Sequence, residues 1–135
     1  MEEMRIKLAR AALDARQKAY CPYSHFAVGA AVLVKSGKIY TGCNIENATQ
    51  GPGVCAERAA LYKAVSEGER EFLAIAIAGG PEGEEPDGFC PPCGVCRQAL
   101  AEFCAGEMPV ILVKNPEKTQ VYRLEELFPL AFSMR

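Results

Sequence analysis

Two short segments carry residue types that can hold a metal and move protons: Cys55-Ala56-Glu57-Arg58 and Pro92-Cys93-Gly94-Val95-Cys96-Arg97-Gln98. Each reads as the opening of a helix. Cys93 and Cys96 stand three apart, so both sulfurs reach one point from a first turn. Amides at a helix N-terminus carry partial positive charge and lower a thiol's pKa. A third thiolate from Cys55, at the start of its own helix, would complete a trio converging from two helix ends. Zinc takes four tetrahedral ligands, and a site with three protein ligands keeps one position for water. The ion lowers the pKa of that water towards neutrality. Glu57 is not needed as a ligand; from its place two residues past Cys55, its carboxylate can take a proton and deliver it elsewhere. Three thiolates outweigh the charge of one Zn2+, and Arg58 and Arg97 are placed to donate hydrogen bonds to the sulfurs.

Each segment alone is a weak signal. A bare Cys93-x-x-Cys96 equally suits a redox pair, half of a structural zinc site, or core thiols. A structural four-cysteine site needs one more ligand; Cys90 offers it, and would close the water position. Together the two segments, each starting a helix and roughly 35 residues apart, match the pattern of zinc deaminases acting on cytosine or adenine, in which the first ligand is His or Cys.

These side chains need elements to position them. Met4, Leu8, Ala11, Ala12, Ala15 and Ala19 recur near a 3.6-residue period and predict an amphipathic helix over 3–19. Pro22 breaks it. Residues 26–34 and 38–43, rich in β-formers around Lys35-Ser36-Gly37, predict a hairpin. A loop over 49–53 leads into a helix over 54–67 that Gly68 ends. Residues 72–78 suit a strand buried on both faces, and 79–92 a surface loop dense in Gly, Pro and acid. A short helix follows over 93–104, a buried strand over 109–114, a last strand over 119–123 and a terminal helix over 124–128. This order predicts an α/β fold, a three-layer α-β-α sandwich on a mixed sheet of about five strands, as a single domain over 1–135.

Composition narrows the function. The chain of 135 residues is long enough for one core, and with 50% hydrophobic and 24% charged residues it has a globular profile. Its net charge of −2, with no cluster of Lys and Arg, lacks the basic footprint that nucleic acid or anionic membrane requires. A small-molecule substrate is expected, with no nucleic-acid or membrane partner. Met1-Glu2-Glu3-Met4-Arg5-Ile6 does not read as a signal peptide, and no window approaches a membrane span, so a cytoplasmic protein is expected. Seven cysteines, an odd count without an export signal, argue against a disulfide scaffold and for metal binding or catalysis. Cys21, Cys43 and Cys104 read as small buried apolar groups.

From about Tyr20 to Phe132 the chain resembles the short, homotetrameric cytidine deaminases. The most specific stretches are Pro22–Ala30, Gly42–Asn47, Cys55–Arg58 and Pro92–Gln98. The resemblance implies one zinc per subunit on Cys55, Cys93 and Cys96, with Glu57 as proton shuttle. It implies hydrolytic deamination of cytidine and deoxycytidine to uridine and deoxyuridine with loss of ammonia, as in pyrimidine salvage. Asn44 and Glu46 match the family's ribose-binding pair; read without it, they are turn-cap residues. Phe26 matches the aromatic that packs on the pyrimidine ring, though ordinary core fits it nearly as well. The amides of Ala56 and Glu57 would face the base. In a homotetramer, Phe132 in the tail Leu127–Phe132 would reach a neighbouring subunit's site.

The chain also departs from the family. Gln50 stands where a tyrosine is common, and Gly51-Pro52-Gly53 is similar to the approach in blasticidin S deaminases. Those lack the Asn44-Ile45-Glu46-Asn47 run, which favours a nucleoside here. The acidic loop 81–90 is longer than usual and brings Cys90 near the ligands. A structural zinc or dithiol protein is the reading outside enzymes; it leaves Glu57, Arg58 and residues 44–47 unexplained.

Overall fold

A computed structural model describes residues 2–134; Met1 and Arg135, the ends of the expected 1–135 domain, lie outside the described residues. Helix α1 spans Glu2–Ala15, strands β1 and β2 span Phe26–Val34 and Ile39–Cys43, and helix α2 spans Ala56–Ser66. Strand β3 (Phe72–Pro81), helix α3 (Gly94–Phe103), strands β4 (Pro109–Asn115) and β5 (Lys118–Arg123) and the short helix α4 (Leu124–Leu127) complete the chain.

The five strands form one sheet in the order β2-β1-β3-β4-β5. β3 and β4 run parallel, with Ile75 opposite Val110 and Ala78 opposite Val113, and every other pair is antiparallel. Alternation along the strands sends successive residues to opposite faces. Ala31, Leu33, Ala74, Ala76, Ala78, Ile111 and Val113 meet Leu8, Ala9 and Ala12 of α1. Val32, Ile75, Ile77, Val110 and Leu112 meet Ala60, Leu61 and Ala64 of α2 and Leu100 of α3 on the other face. The result is the expected α-β-α sandwich on a mixed sheet.

Two boundaries differ from the sequence reading by more than two residues, each for a packing reason. The first helix ends at Ala15 and tightens into a 3₁₀ turn over Arg16–Lys18. There the buried Arg16 guanidinium turns inward to the carbonyls of Ala27 (2.8 Å), Glu84 (3.0 Å) and Pro81 (3.1 Å). β3 runs on through Gly79, Gly80 and Pro81, residues expected in a loop, and pairs there with Val28, Ala27 and Phe26. A methyl on Gly80 would lie 2.7 Å from Cα of Pro86. Bare glycine backbone is what lets the 82–86 turn fold down over the strand.

The topology also explains where a site can form. β1 is antiparallel to both β2 and β3, so β2 and β3 point the same way and end at the same edge of the sheet. Each leads through a loop into a helix. The N-termini of α2 and α3 therefore open side by side at those carboxyl ends, where ligands bind in α/β sheets.

Candidate active site

Cys55 immediately precedes α2 and Cys93 immediately precedes α3; both are extended, and neither thiol caps its own helix. Their sulfurs are free to face each other across the sheet edge. Cys96, in the first turn of α3, is fully buried. The three sulfurs lie within 4.8 Å of one another, with Cys55 Sγ and Cys93 Sγ 3.7 Å apart. A tetrahedron with zinc–sulfur arms of about 2.3 Å has an edge of about 3.8 Å, whereas a disulfide needs about 2.05 Å. The donor set fits zinc. Among the described residues this is the one cluster of His, Cys, Asp or Glu that can hold a metal, and Cys90 stands outside it.

Arg58 donates Nη2 to Cys55 Sγ at 3.7 Å, and its Nε is buried with no hydrogen-bond partner. The residue thus brings buried donor capacity to a cluster of sulfurs that must all be anionic when metal is bound. The hydrogen bond from Cys96, then those from Arg58 and Cys93, hold the Cys55 thiol down at about 5. Cys96, the donor in that pair, is pushed up.

Glu57 is the second residue of α2 and only 4% exposed. Burial, and then the negative charge at Cys55, push its carboxyl up to about 7. A carboxyl with that affinity both takes and gives up a proton near neutral pH. Its helix is seated by Gly42 in β2, where a methyl would lie 2.4 Å from Ala60 N and 2.8 Å from Ala56 O. The backbone of the α2 start therefore rests directly on the sheet.

In front of these groups opens a cavity of about 740 Å³, lined by Cys55, Ala56, Glu57, Arg58 and Cys93. Phe26, Asn44, Glu46 and Gln50 line it as well. Phe26 opens β1 and is 39% exposed, so it belongs to the cavity wall and not to the core. Asn44 lies just past β2; its Oδ1 accepts the Val28 N–H (2.9 Å) and its Nδ2 donates to the Phe26 carbonyl (2.9 Å). Glu46 Oε1 accepts the N–H groups of Tyr23 (3.0 Å) and Ser24 (3.2 Å), and Oε2 accepts the Ser24 hydroxyl. That hydroxyl bond is the main reason the Glu46 carboxyl is held below the usual carboxylate range. Both residues thus shape the neighbouring turn while lining the cavity. A separate hollow of about 650 Å³, between α1 and the 82–86 turn, contains none of the metal-binding cysteines.

Four placements differ from the sequence reading or add to it. Arg97 does not turn to the sulfurs: Nε donates to the Pro92 carbonyl (2.7 Å) and Nη1 to the Leu127 carbonyl, tying the end of α4 to the loop that carries Cys93. Phe132 lies outside the cavity of its own chain and is 69% exposed; its carbonyl accepts Gln98 Nε2 at 3.2 Å. Cys90, considered as a ligand, instead lines the cavity. Its sulfur and the Phe26 ring fill the space a side chain at Gly79 would need, at 2.9 and 3.0 Å from a methyl there. Burial, then the charge of Glu57, pushes the Cys90 thiol up to about 11. Ser24, given no role on sequence, joins the site through Glu46. A hydroxyl two residues before a strand-opening aromatic, a common turn arrangement, is the signal that could have marked it.

Comparison with known proteins gives a consistent picture. The family model for the cytidine and deoxycytidylate deaminase zinc-binding region matches residues 2–112. A cytidine deaminase of Sporosarcina psychrophila is 47% identical over 127 residues, covering 94% of this chain and 90% of that protein. The crystal structure of a cytidine deaminase from Burkholderia pseudomallei superposes with a TM-score of 0.84 at 44% identity, covering 93% of this chain and 97% of the other. A blasticidin-S deaminase of Bacillus cereus is further off, 33% identical over 109 residues, covering 78% of this chain and 76% of that protein.

Proposed function

The chain belongs to the cytidine and deoxycytidylate deaminase family, and from that premise we propose how its cavity works on the cytosine ring of a nucleoside. The protein is a zinc-dependent cytidine deaminase, hydrolysing cytidine to uridine and ammonia. We extend the substrate range to deoxycytidine. The observation that carries the reading is the trio of sulfurs within 4.8 Å, with a buried carboxyl two residues from one of them and an open cavity in front.

Zinc on Cys55, Cys93 and Cys96 supplies the Lewis acidity that makes water nucleophilic near neutral pH. Glu57 takes one proton from the attacking water and delivers it to N3 of the ring. The water oxygen bonds to C4, which becomes tetrahedral. Glu57 then carries the second water proton to the C4 amino group, the C4–N bond breaks, and ammonia leaves; the product keeps its proton on N3. Its raised proton affinity suits both transfers. The amides of Ala56 and Glu57 face the base, Phe26 packs on the ring, and Asn44 and Glu46 hold the sugar hydroxyl that cytidine and deoxycytidine share. Arg58 steadies the thiolates, which favours zinc over loss of a ligand.

The working unit is read as a homotetramer in which Phe132 serves a neighbouring site. Support comes from the exposed apolar tail: Leu130, Phe132 and Met134 have little to cover them within the chain. Light scattering should return four times 14.6 kDa. All seven thiols are unpaired, which suits a cytoplasmic, reducing setting.

The decisive experiment mixes purified protein with cytidine, deoxycytidine, cytosine and blasticidin S, and follows absorbance loss and ammonia release. Cytidine and deoxycytidine should be consumed. Turnover of blasticidin S alone would move the assignment to the antibiotic, and no turnover of any of them would return it to a structural zinc protein. Glu57→Ala should abolish turnover while zinc stays bound; a near-normal rate would remove Glu57 from its role.

A further inference from the structure

Ser24 sits in the turn between Cys21 and β1, and its hydroxyl makes two bonds at once. It donates to Oε2 of Glu46 and accepts the backbone N–H of Phe26 at 3.0 Å. The N–H groups of Ser24 and Tyr23 meanwhile hold the other oxygen of the same carboxylate. On the far side of Phe26, Asn44 Nδ2 donates to its carbonyl at 2.9 Å. His25, between Ser24 and Phe26, has φ 56°, the left-handed turn that folds the hydroxyl back onto the N–H two residues ahead. Both polar groups of the Phe26 backbone are thus held by side chains of the cavity, and Ser24 is the member that touches both Glu46 and Phe26.

We propose that Ser24 is a positioning residue for substrate: its hydroxyl locks the Glu46 carboxylate to the backbone of Phe26, so that the sugar-holding group and the ring-packing group keep one fixed spacing. The proposal rests on the reading of Glu46 and Phe26 given above. Ser24 is exposed and Glu46 half-buried, and both line the open cavity, so a carboxylate held only by the two N–H bonds to Oε1 can swing towards it. Glu57 lies on a separate helix and does not depend on this linkage. The effect therefore falls on binding more than on proton transfer.

The test measures kcat and KM for Ser24→Ala, Ser24→Thr, Glu46→Ala and the Ser24→Ala/Glu46→Ala pair, with cytidine and with 2′,3′-dideoxycytidine, which lacks the ring hydroxyls. Zinc content and melting temperature confirm that each variant is folded. Loss of one hydrogen bond to a charged group predicts about a tenfold rise in KM for cytidine in Ser24→Ala, with kcat changed less than about threefold. Thr keeps the hydroxyl and should restore KM to within about threefold of the original. On dideoxycytidine, and in the Glu46→Ala background, Ser24→Ala should add less than about threefold, because the coupled partner is already gone. Equal losses on both nucleosides, or a full loss persisting without Glu46, would overturn the proposal. If Glu46→Ala separates the two nucleosides and Ser24→Ala does not, the Ser24 proposal alone falls. If Glu46→Ala fails to separate them, the sugar-holding role of Glu46 falls and the proposal falls with it.

Discussion

Replacing Gly42 by alanine should damage catalysis from a position that touches no substrate. The new methyl would lie 2.4 Å from Ala60 N, 2.8 Å from Ala56 O and 2.8 Å from Ala59 Cβ. Two of these atoms are helix backbone and cannot rotate away. Relief to an ordinary contact of about 3.4 Å needs α2 to retreat by about 1 Å, and overpacking of this kind typically costs about 1–3 kcal/mol. In a domain of this size that lowers the melting temperature by roughly 4–11 °C. The same retreat carries Cys55 and Glu57 away from Cys93 and Cys96, which are placed by the start of α3, and opens the 3.7 Å Cys55–Cys93 spacing. A misplacement near 1 Å commonly costs about 100-fold in rate. Calorimetry, zinc content and kcat/KM for cytidine read the three consequences. Gly88→Ala is the control, since a methyl there meets nothing within 4 Å. If Gly42→Ala melts and turns over like the parent, α2 is not seated by that contact, and the account of how the sheet places Glu57 is wrong.

Three further outcomes are expected. Arg58→Gln removes the guanidinium at Cys55 and should weaken zinc retention about 10- to 100-fold in competition with a chelator, as loss of a ligand's hydrogen-bond partner does elsewhere; unchanged retention would show that Arg58 does not steady the thiolates. Arg16→Met strips three carbonyls of their donor and should destabilise the fold by about 2 kcal/mol in denaturant titration, with a stability equal to the parent's counting against it. Burial pushes the Cys104 thiol up to about 12, so at pH 8 its alkylation should run about a thousandfold slower than that of an exposed thiol and quicken as pH rises. Peptide mapping after iodoacetamide treatment checks this, and rapid labelling in the folded protein would contradict the burial.

Local physics made much of this molecule readable in advance. The three-residue step from Cys93 to Cys96 on a helix, the alternation along β1, the doubly buried β3 and β4, and the left-handed Gly68 (φ 98°) after α2 all depend on neighbours a few positions away. That is why the α-β-α order and the metal-binding cysteines could be named from residue types and spacing. Tertiary structure decided the matters in which distant groups compete for one partner. Arg58 and Arg97 look equivalent along their helices, three and four residues past a cysteine. The Leu127 carbonyl, 30 residues away in sequence, claims Arg97, while Arg58 is left to the sulfur. Cys90 offers a fourth thiol on sequence; in the fold its sulfur lies against Gly79, outside the metal-binding trio. Ser24 acquired its partner only because the turn before β1 and the segment after β2 reach the same sheet edge. A chain specifies its periodicities residue by residue, but a donor's choice among acceptors is settled by which surfaces the completed fold brings within hydrogen-bond reach.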